Sequence, residues 1–154
     1  VKPLLIGEAP SKNEVTETPL EGRVGRRLAE LAGLSYAAYL EHFDRVNLLH
    51  VRQDTKEKGF EFDLAAAREE AKRLRQSGVL RDRPVVLLGH RVADAFGVRL
   101  TMKYFHGCPS GQGGMLWLMP HPSGLNRWYN DPDNVKEASG FLRGLVMRSQ
   151  IGAA

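Results

Sequence analysis

Two short segments of this chain carry side chains whose types and spacing suit chemistry on a bound ligand. Residues 121–126 read His121-Pro122-Ser123-Gly124-Leu125-Asn126, a histidine flanked by prolines and followed by small residues. A histidine held in such a turn can donate a hydrogen bond to an oxygen that gains negative charge during a reaction, or it can serve only to hold the loop together. Residues 7–11 read Gly7-Glu8-Ala9-Pro10-Ser11. Here the glycine lets the backbone approach a ligand closely and the proline stiffens the residues after it, although a plain connecting loop has the same makeup. A third polar residue, Asn47, interrupts an apolar run from Val46 to Leu49.

The elements that must position these residues follow from periodicity. Pro3 to Ile6 is a short apolar run ending at Gly7, which predicts a strand feeding a polar loop that reaches Pro19. From Gly22 onward Val24, Leu28, Leu31 and Leu34 recur at helical spacing, with Gly33 near the helix end. Arg45 to His50 predicts a second strand, and Arg52 to Phe62 an exposed loop. Asp63 caps a helix that runs to about Gln76, with Ala66, Ala67, Ala71 and Leu74 for burial and Gly78 as its stop. Pro84 to Gly89 is a continuous apolar run of the kind found in a central parallel strand covered on both faces. His90 to Phe96 predicts a short helix, Met115 to Met119 a fourth strand, and Asp131 to Met147 a last helix with Val135, Ala138, Leu142, Leu145 and Val146 on one side.

Strands alternating with helices imply an α/β chain: a three-layer α/β/α sandwich around a central, mainly parallel sheet of four strands, with right-handed crossovers. In such a sheet the ligand site lies beyond the carboxyl ends of the strands. Four segments are expected to converge there: Glu8 to Pro10, Asn47 to His50, Gly89 to Arg91, and His121 to Asn126.

Composition limits the alternatives. The 154 residues fit one domain, residues 1–154, and no stretch approaches the ~20 apolar residues that cross a bilayer. The single cysteine, Cys108, leaves no internal disulfide, and no Cys/His cluster has the spacing of a structural zinc site or an iron–sulfur cluster. No cofactor and no metal are therefore expected. The start at Val1-Lys2-Pro3 lacks the pattern of a secretion signal, so the expected location is cytoplasmic, or nucleoid-associated if the chain binds DNA. A formal charge of +4 permits attraction to phosphate backbones without requiring it. Arg23, Arg26 and Arg27 follow one loop and Arg127 follows the other.

Taken together, the motifs resemble the uracil-DNA glycosylase superfamily, and its family 4 branch in particular. That branch has a Gly-Glu-Ala-Pro-Gly loop, a Pro-Phe-x-Gly-x-Ala-Gly segment entering a helix, an Asn-x-x-Lys strand and a late His-Pro loop. The matching stretches here are Gly7 to Ser11, Pro19-Leu20-Glu21-Gly22-Arg23-Val24-Gly25, Val46 to His50, and His121 to Asn126, in the same order over nearly the whole chain.

The resemblance implies a monofunctional DNA glycosylase that cleaves the N-glycosidic bond of uracil or a related damaged or modified pyrimidine. It implies DNA, single- or double-stranded, as partner, no membrane, and a monomer. Glu8 and His121 then match catalytic positions: His121 stabilises the departing base, and Glu8 positions water or favours the cationic sugar, unless it only caps nearby amides. Ala9, Pro10, Leu20 and Asn47 match base-binding positions, and the Asn47 amide offers both the donor and the acceptor needed to read a base edge. Gly22, Gly25, Arg26, Ser123, Gly124 and Arg127 match DNA contacts. Leu125 matches an apolar wedge that enters the duplex, and Trp128, with Tyr129, either stacks on exposed bases or packs the loop.

The departures are specific. Leu20 stands where family 4 has a stacking phenylalanine, and Ala9 where the most active branch has a water-activating aspartate. Ser11 replaces a glycine, His50 replaces a lysine, and the four cluster cysteines are missing. These leave room for another base, or for a protein of this fold that binds nucleic acid or a nucleobase without cleaving it. A third possibility on composition alone is an α/β enzyme acting on a small nucleotide or sugar phosphate.

Overall fold

A computed structural model describes residues 1–10, 18–51, 54–55 and 59–152. Ser11, at the end of the first loop, lies outside these, as do residues 52–53 and 56–58 of the segment read as an exposed loop. The strands are β1 (Leu4–Gly7), β2 (Asp44–Asn47), β3 (Asp54–Thr55), β4 (Gly59–Phe60), β5 (Pro84–Leu88), β6 (Gly107–Pro109) and β7 (Met115–Met119). The helices are α1 (Gly22–Ala32), α2 (Tyr36–His42), α3 (Leu64–Ser77), α4 (His90–Ala95) and α5 (Pro132–Gly152), with a 3-10 turn at Arg127–Asn130.

The main sheet has the order β2-β1-β5-β7-β6 and is parallel except for β6, which runs antiparallel to β7. As the apolar run predicts, β5 is central. Residues along β1 alternate between two cores. Leu4 and Ile6 join Val85, Leu87, Leu116 and Leu118 beneath α3 and α4, where Ala67, Ala71, Leu74 and Val92 complete the layer. Leu5, Val86, Leu88 and Met119 face the other way, onto Leu28 of α1, Tyr39 of α2 and Ala138 and Leu142 of α5. The three-layer α/β/α architecture is therefore present.

Several details differ from the sequence reading: the segment read as an exposed loop contains the antiparallel pair β3 and β4, and the last helix runs to Gly152 rather than Met147. The sheet has five strands rather than four, because three residues of β6 pair at the edge of β7 and are too short to show alternation. The second strand ends at Asn47 rather than His50. A separate helix, α2, follows α1: Gly33 adopts a left-handed conformation with φ of 69° and ends α1, after which the Ser35 side chain accepts a bond from Ala38 N at 3.1 Å and starts the next helix. The remaining capping expectation holds for Asp63, which accepts from Ala66 N at 3.1 Å at the start of α3.

Topology fixes where a ligand would lie. From β1 the chain crosses by α1 and α2 to β2 on one side, and from β2 it returns by α3 over the opposite face to β5 on the other side of β1. The carboxyl ends of β1 and β5 thus form a crevice at the point where the strand order reverses.

Candidate active site

Glu8 leaves β1 and Gly89 leaves β5 on the two sides of this crevice, and the ladder continues past the strands to hold their loops. Leu49 N donates to Glu8 O at 2.9 Å and Gly89 N to Met119 O at 2.8 Å. Gly89 has φ of 98° and ψ of 162°, a region open essentially to glycine alone. A Cβ placed on it would lie 3.2 Å from His121 Cβ and 3.5 Å from Glu8 Oε1. The missing side chain at Gly89 is therefore what lets Glu8 and His121 share one end of the crevice.

Charge around this pair is arranged in one direction. Arg91, in the first turn of α4, places NH1 3.5 Å from Glu8 Oε2, and the Glu8 side chain is 13% exposed against 54% for Arg91. Burial pushes the His121 pKa down from its ordinary value, the Glu8 carboxylate opposes that shift, and the Arg91 cation adds to it. At neutral pH the imidazole is thus uncharged, with one N–H to donate.

The segment bearing His121 is fixed from behind. Tyr129 OH donates to Pro120 O at 2.6 Å, and Asn126 Nδ2 donates to His121 O at 2.9 Å, so the carbonyls on both sides of the His121 amide are held. Arg27 of α1 places its guanidinium 4.6 Å from the centre of the Tyr129 ring. Ser123 shapes the tip: its Oγ accepts from Leu125 N at 3.2 Å and its carbonyl from Asn126 N at 3.0 Å. At that tip Leu125 is 93% exposed, an unusual state for a leucine held by an ordered turn. Gly124 and Arg127 are also exposed. Trp128 is half-buried and meets Tyr129 edge-on at 4.8 Å, within an aromatic group that includes Tyr104 and Phe105.

A second cluster sits where β1 meets β2. Gly7 and Asn47 are partners in register. A Cβ on Gly7 would come within 2.6 Å of Asn47 Oδ1 and 2.7 Å of Leu20 Cδ2, so the glycine lets an amide and an apolar cap meet over one point. Asn47 is 5% exposed, and its Oδ1 is buried without a hydrogen-bond partner. Such an orphaned acceptor costs about 1–3 kcal/mol unless a ligand satisfies it. Ala9 and Pro10 are half-buried as the chain leaves Glu8.

Leu20 itself is 5% exposed and has φ of 55°, a left-handed conformation that leucine rarely adopts. Tyr39 OH donates to Leu20 O at 2.8 Å, and the absence of a side chain on Gly25 makes room for that same carbonyl, since a Cβ would lie 2.3 Å from it. Gly22 N donates to Tyr36 OH at 3.2 Å. Arg26 is exposed, with its guanidinium 5.5 Å from the Tyr36 ring centre.

The structure thus brings Glu8 to His121 and Asn47 to Leu20, and it places Gly22, Gly25 and Arg26 at the entry to α1 and Ser123 to Trp128 beyond β7. Sequence reasoning missed Tyr36, Tyr39 and Tyr104. Tyr36, Tyr39, Leu40 and Phe43 do recur at helical spacing, a signal that was available. Tyr104 lies in no patterned stretch. Its OH is 2.9 Å from Nε2 of His90, the residue after Gly89, and burial pushes its pKa up.

Chemically the arrangement offers a buried amide and an apolar cap for a planar ligand, and a neutral imidazole and a carboxylate for charge that develops beside it. Among the described residues no three His, Cys, Asp or Glu side chains converge closely enough to hold a metal ion, and no helix is long and apolar enough to cross a membrane. No curated protein matches the chain. The description "Uracil DNA glycosylase superfamily" does match, over residues 1–143, a span that takes in both clusters and every strand of the main sheet. With that match covering most of its length, the chain belongs to the uracil DNA glycosylase superfamily.

Proposed function

We propose that this protein is a monofunctional DNA glycosylase that hydrolyses the N-glycosidic bond of uracil or a related modified pyrimidine. The observation that carries the reading is the orphaned acceptor of Asn47, buried beside Gly7 and under Leu20 at the carboxyl end of β2, next to the strand that Glu8 follows. An extruded pyrimidine satisfies it when Leu20 swings off the buried amide: the ring N–H then donates to Asn47 Oδ1, and Leu20, with Ala9 and Pro10, covers the ring.

As the bond from the sugar carbon to the base nitrogen breaks, its electron pair passes to the base, whose oxygen gains negative charge. His121 donates its N–H there, a contribution of the kind worth about 10²–10³ in rate. Water adds to the sugar carbon, with Glu8 orienting it and opposing the positive charge on the sugar, and the proton it loses passes through solvent to the base anion, which leaves neutral. Ser123 supplies a hydroxyl donor for a phosphate, with Arg26 and Arg127 adding charge, while the Gly22 and Gly25 amides are already bonded to Tyr36 OH and Glu21 O and serve to shape the entry to α1. Leu125 replaces the base lost from the stack, and Trp128 supports the loop that carries it. The protein acts as a monomer in this reading.

A second reading, recognition of a base without cleavage, is favoured by Ala9 where a water-activating aspartate would stand, and by Leu20 in place of an aromatic ring. One experiment separates the two. End-labelled single- and double-stranded oligonucleotides carrying uracil, hydroxymethyluracil or xanthine are incubated with the protein and treated with alkali to cut abasic sites. Strand scission on one of them is expected, and Leu125→Ala should reduce it on duplex more than on single strands. Binding with no scission on any of them would establish recognition alone.

A further inference from the structure

We propose that the groove between α3 and the far end of α4 is a second site for the phosphate backbone of DNA, taking the strand that passes the catalytic crevice. The inference rests on the reading of nucleic acid as substrate. The groove holds about 510 Å³ and lies on the flank of the sheet, with Ala71, Ala95 and Phe96 at its apolar floor. Four cations line it, Arg68, Lys72, Arg75 and Arg99, against a single carboxylate, Asp94.

Several features mark these cations as more than a solvated face. Arg68 and Arg99 approach the Asp94 oxygens only to 3.7 and 3.8 Å, longer than a hydrogen bond, so the carboxylate leaves their N–H groups available to another acceptor. Arg75 is held in place, donating from NH2 to Phe96 O at 2.9 Å with its guanidinium 5.3 Å from the Phe96 ring centre. Arg75 also complements the carboxyl end of α3, but Lys72 lies before its last turn, Arg68 near its start and Arg99 in no helix, so the helix dipole accounts for one of the four. The opposite flank of α3 has the reverse character, a groove bordered by Glu61, Asp63 and Glu70. Arg73, the remaining cation of α3, is paired with Glu70 on that flank, so the excess positive charge of α3 lies on the side of the first groove.

A path joins this groove to the crevice. Arg91 and Asp94 are three residues apart on α4 and so share a face. Arg91 meets Glu8 at one end of that face, and Asp94 meets Arg68 and Arg99 at the other. The three residues from Arg91 to Asp94 rise about 4.5 Å along the helix, so a strand that passes Arg91 has the groove within its next few phosphates. A backbone that leaves the crevice over Arg91 would reach the groove at Arg68 and Arg99, which flank Asp94, the carboxylate on that route. At its edge Leu100 is 99% exposed and offers an apolar face to a base of the same strand.

The test is binding of the full chain to unmodified single-stranded DNA, long (about 24 nucleotides) or short (about 8), measured by fluorescence anisotropy at several salt concentrations. For Arg68→Ala/Lys72→Ala/Arg99→Ala, affinity for the long strand should fall at least about tenfold and the salt slope by about 2, three cations at ~0.7 each. The short strand should bind as before. Arg99→Glu alone, on an exposed segment, should show the same kind of loss, confined to the long strand, and guards against misfolding of the triple variant. Unchanged affinity and slope on the long strand, an equal loss on both lengths, or no length dependence in the unaltered protein would each overturn the proposal. Base release from a short uracil-bearing strand is measured in parallel. Loss of long-strand binding in the variant with no base release from the parent would sustain the groove while removing the glycosylase reading.

Discussion

Gly89 and His121 face each other across the carboxyl ends of β5 and β7 so closely that a single methyl group on the glycine would stand 3.2 Å from the histidine Cβ. The backbone there, with φ of 98°, already excludes other residues. Gly89→Ala should therefore lower stability by about 1–3 kcal/mol and, by displacing His121 and Glu8, lower base release further than the folded fraction accounts for. Urea unfolding and cleavage assays on the same preparation check this. A loss of activity no larger than the loss of folded protein would detach Gly89 from the site.

Asn47 predicts the opposite pattern. Its buried acceptor has no partner, so the folded protein carries a desolvation cost that only a ligand relieves. Asn47→Ala should cost less than about 1 kcal/mol in thermal unfolding while kcat/KM for the preferred base falls about a hundredfold or more, since a site built to hydrogen-bond a group loses its preference when that bond is removed. Equal losses would make Asn47 a structural residue.

Tyr129 is buried behind the His121 segment and fixes it through Pro120. Tyr129→Phe removes one buried bond of 2.6 Å to the carbonyl that precedes His121, and stability should fall by about 0.5–1.5 kcal/mol. Base release should show a lower kcat with KM little changed, because the imidazole is less well aimed while the base pocket around Asn47 is untouched. A changed KM alone would contradict this positioning role.

The pH dependence comes from His121. Burial lowers its pKa below the ordinary value of 6.5. Between the folded value and 6.5 the unfolded chain binds a proton that the folded chain does not, so this contribution to stability is present above 6.5 and is lost as pH falls through that window. Unfolding midpoints between about pH 5 and 8 should decline on the acid side, and less steeply in His121→Asn. Cleavage should be level around neutral pH, where the imidazole is already neutral; a rate that rises as His121 becomes protonated would assign it a different role.

The strands and the two motif loops were legible because they depend on short-range pattern. A continuous apolar run at residues 84–88 can only be satisfied by burial on both faces, and His121 had to follow a strand end. The edge strand at Gly107–Pro109 was not legible, since three residues carry no period, and α2 was obscured because Gly33 and Ser35, a stop and a start, stand two residues apart.

What the sequence by itself determined is the order of the four parallel strands, and with it the end of the sheet at which Glu8, Asn47, Gly89 and His121 must gather. The tertiary structure decided which of them meet. Gly7 and Gly89 look alike in sequence, yet one makes room for Asn47 and Leu20 and the other for His121 and Glu8, because register across β2, β1, β5 and β7 sets which side chain faces each missing Cβ. The same holds for the left-handed Leu20, whose conformation is held by Tyr39 from a helix 19 residues away. Contacts of that separation arise only when the chain closes on itself, and no local pattern encodes them.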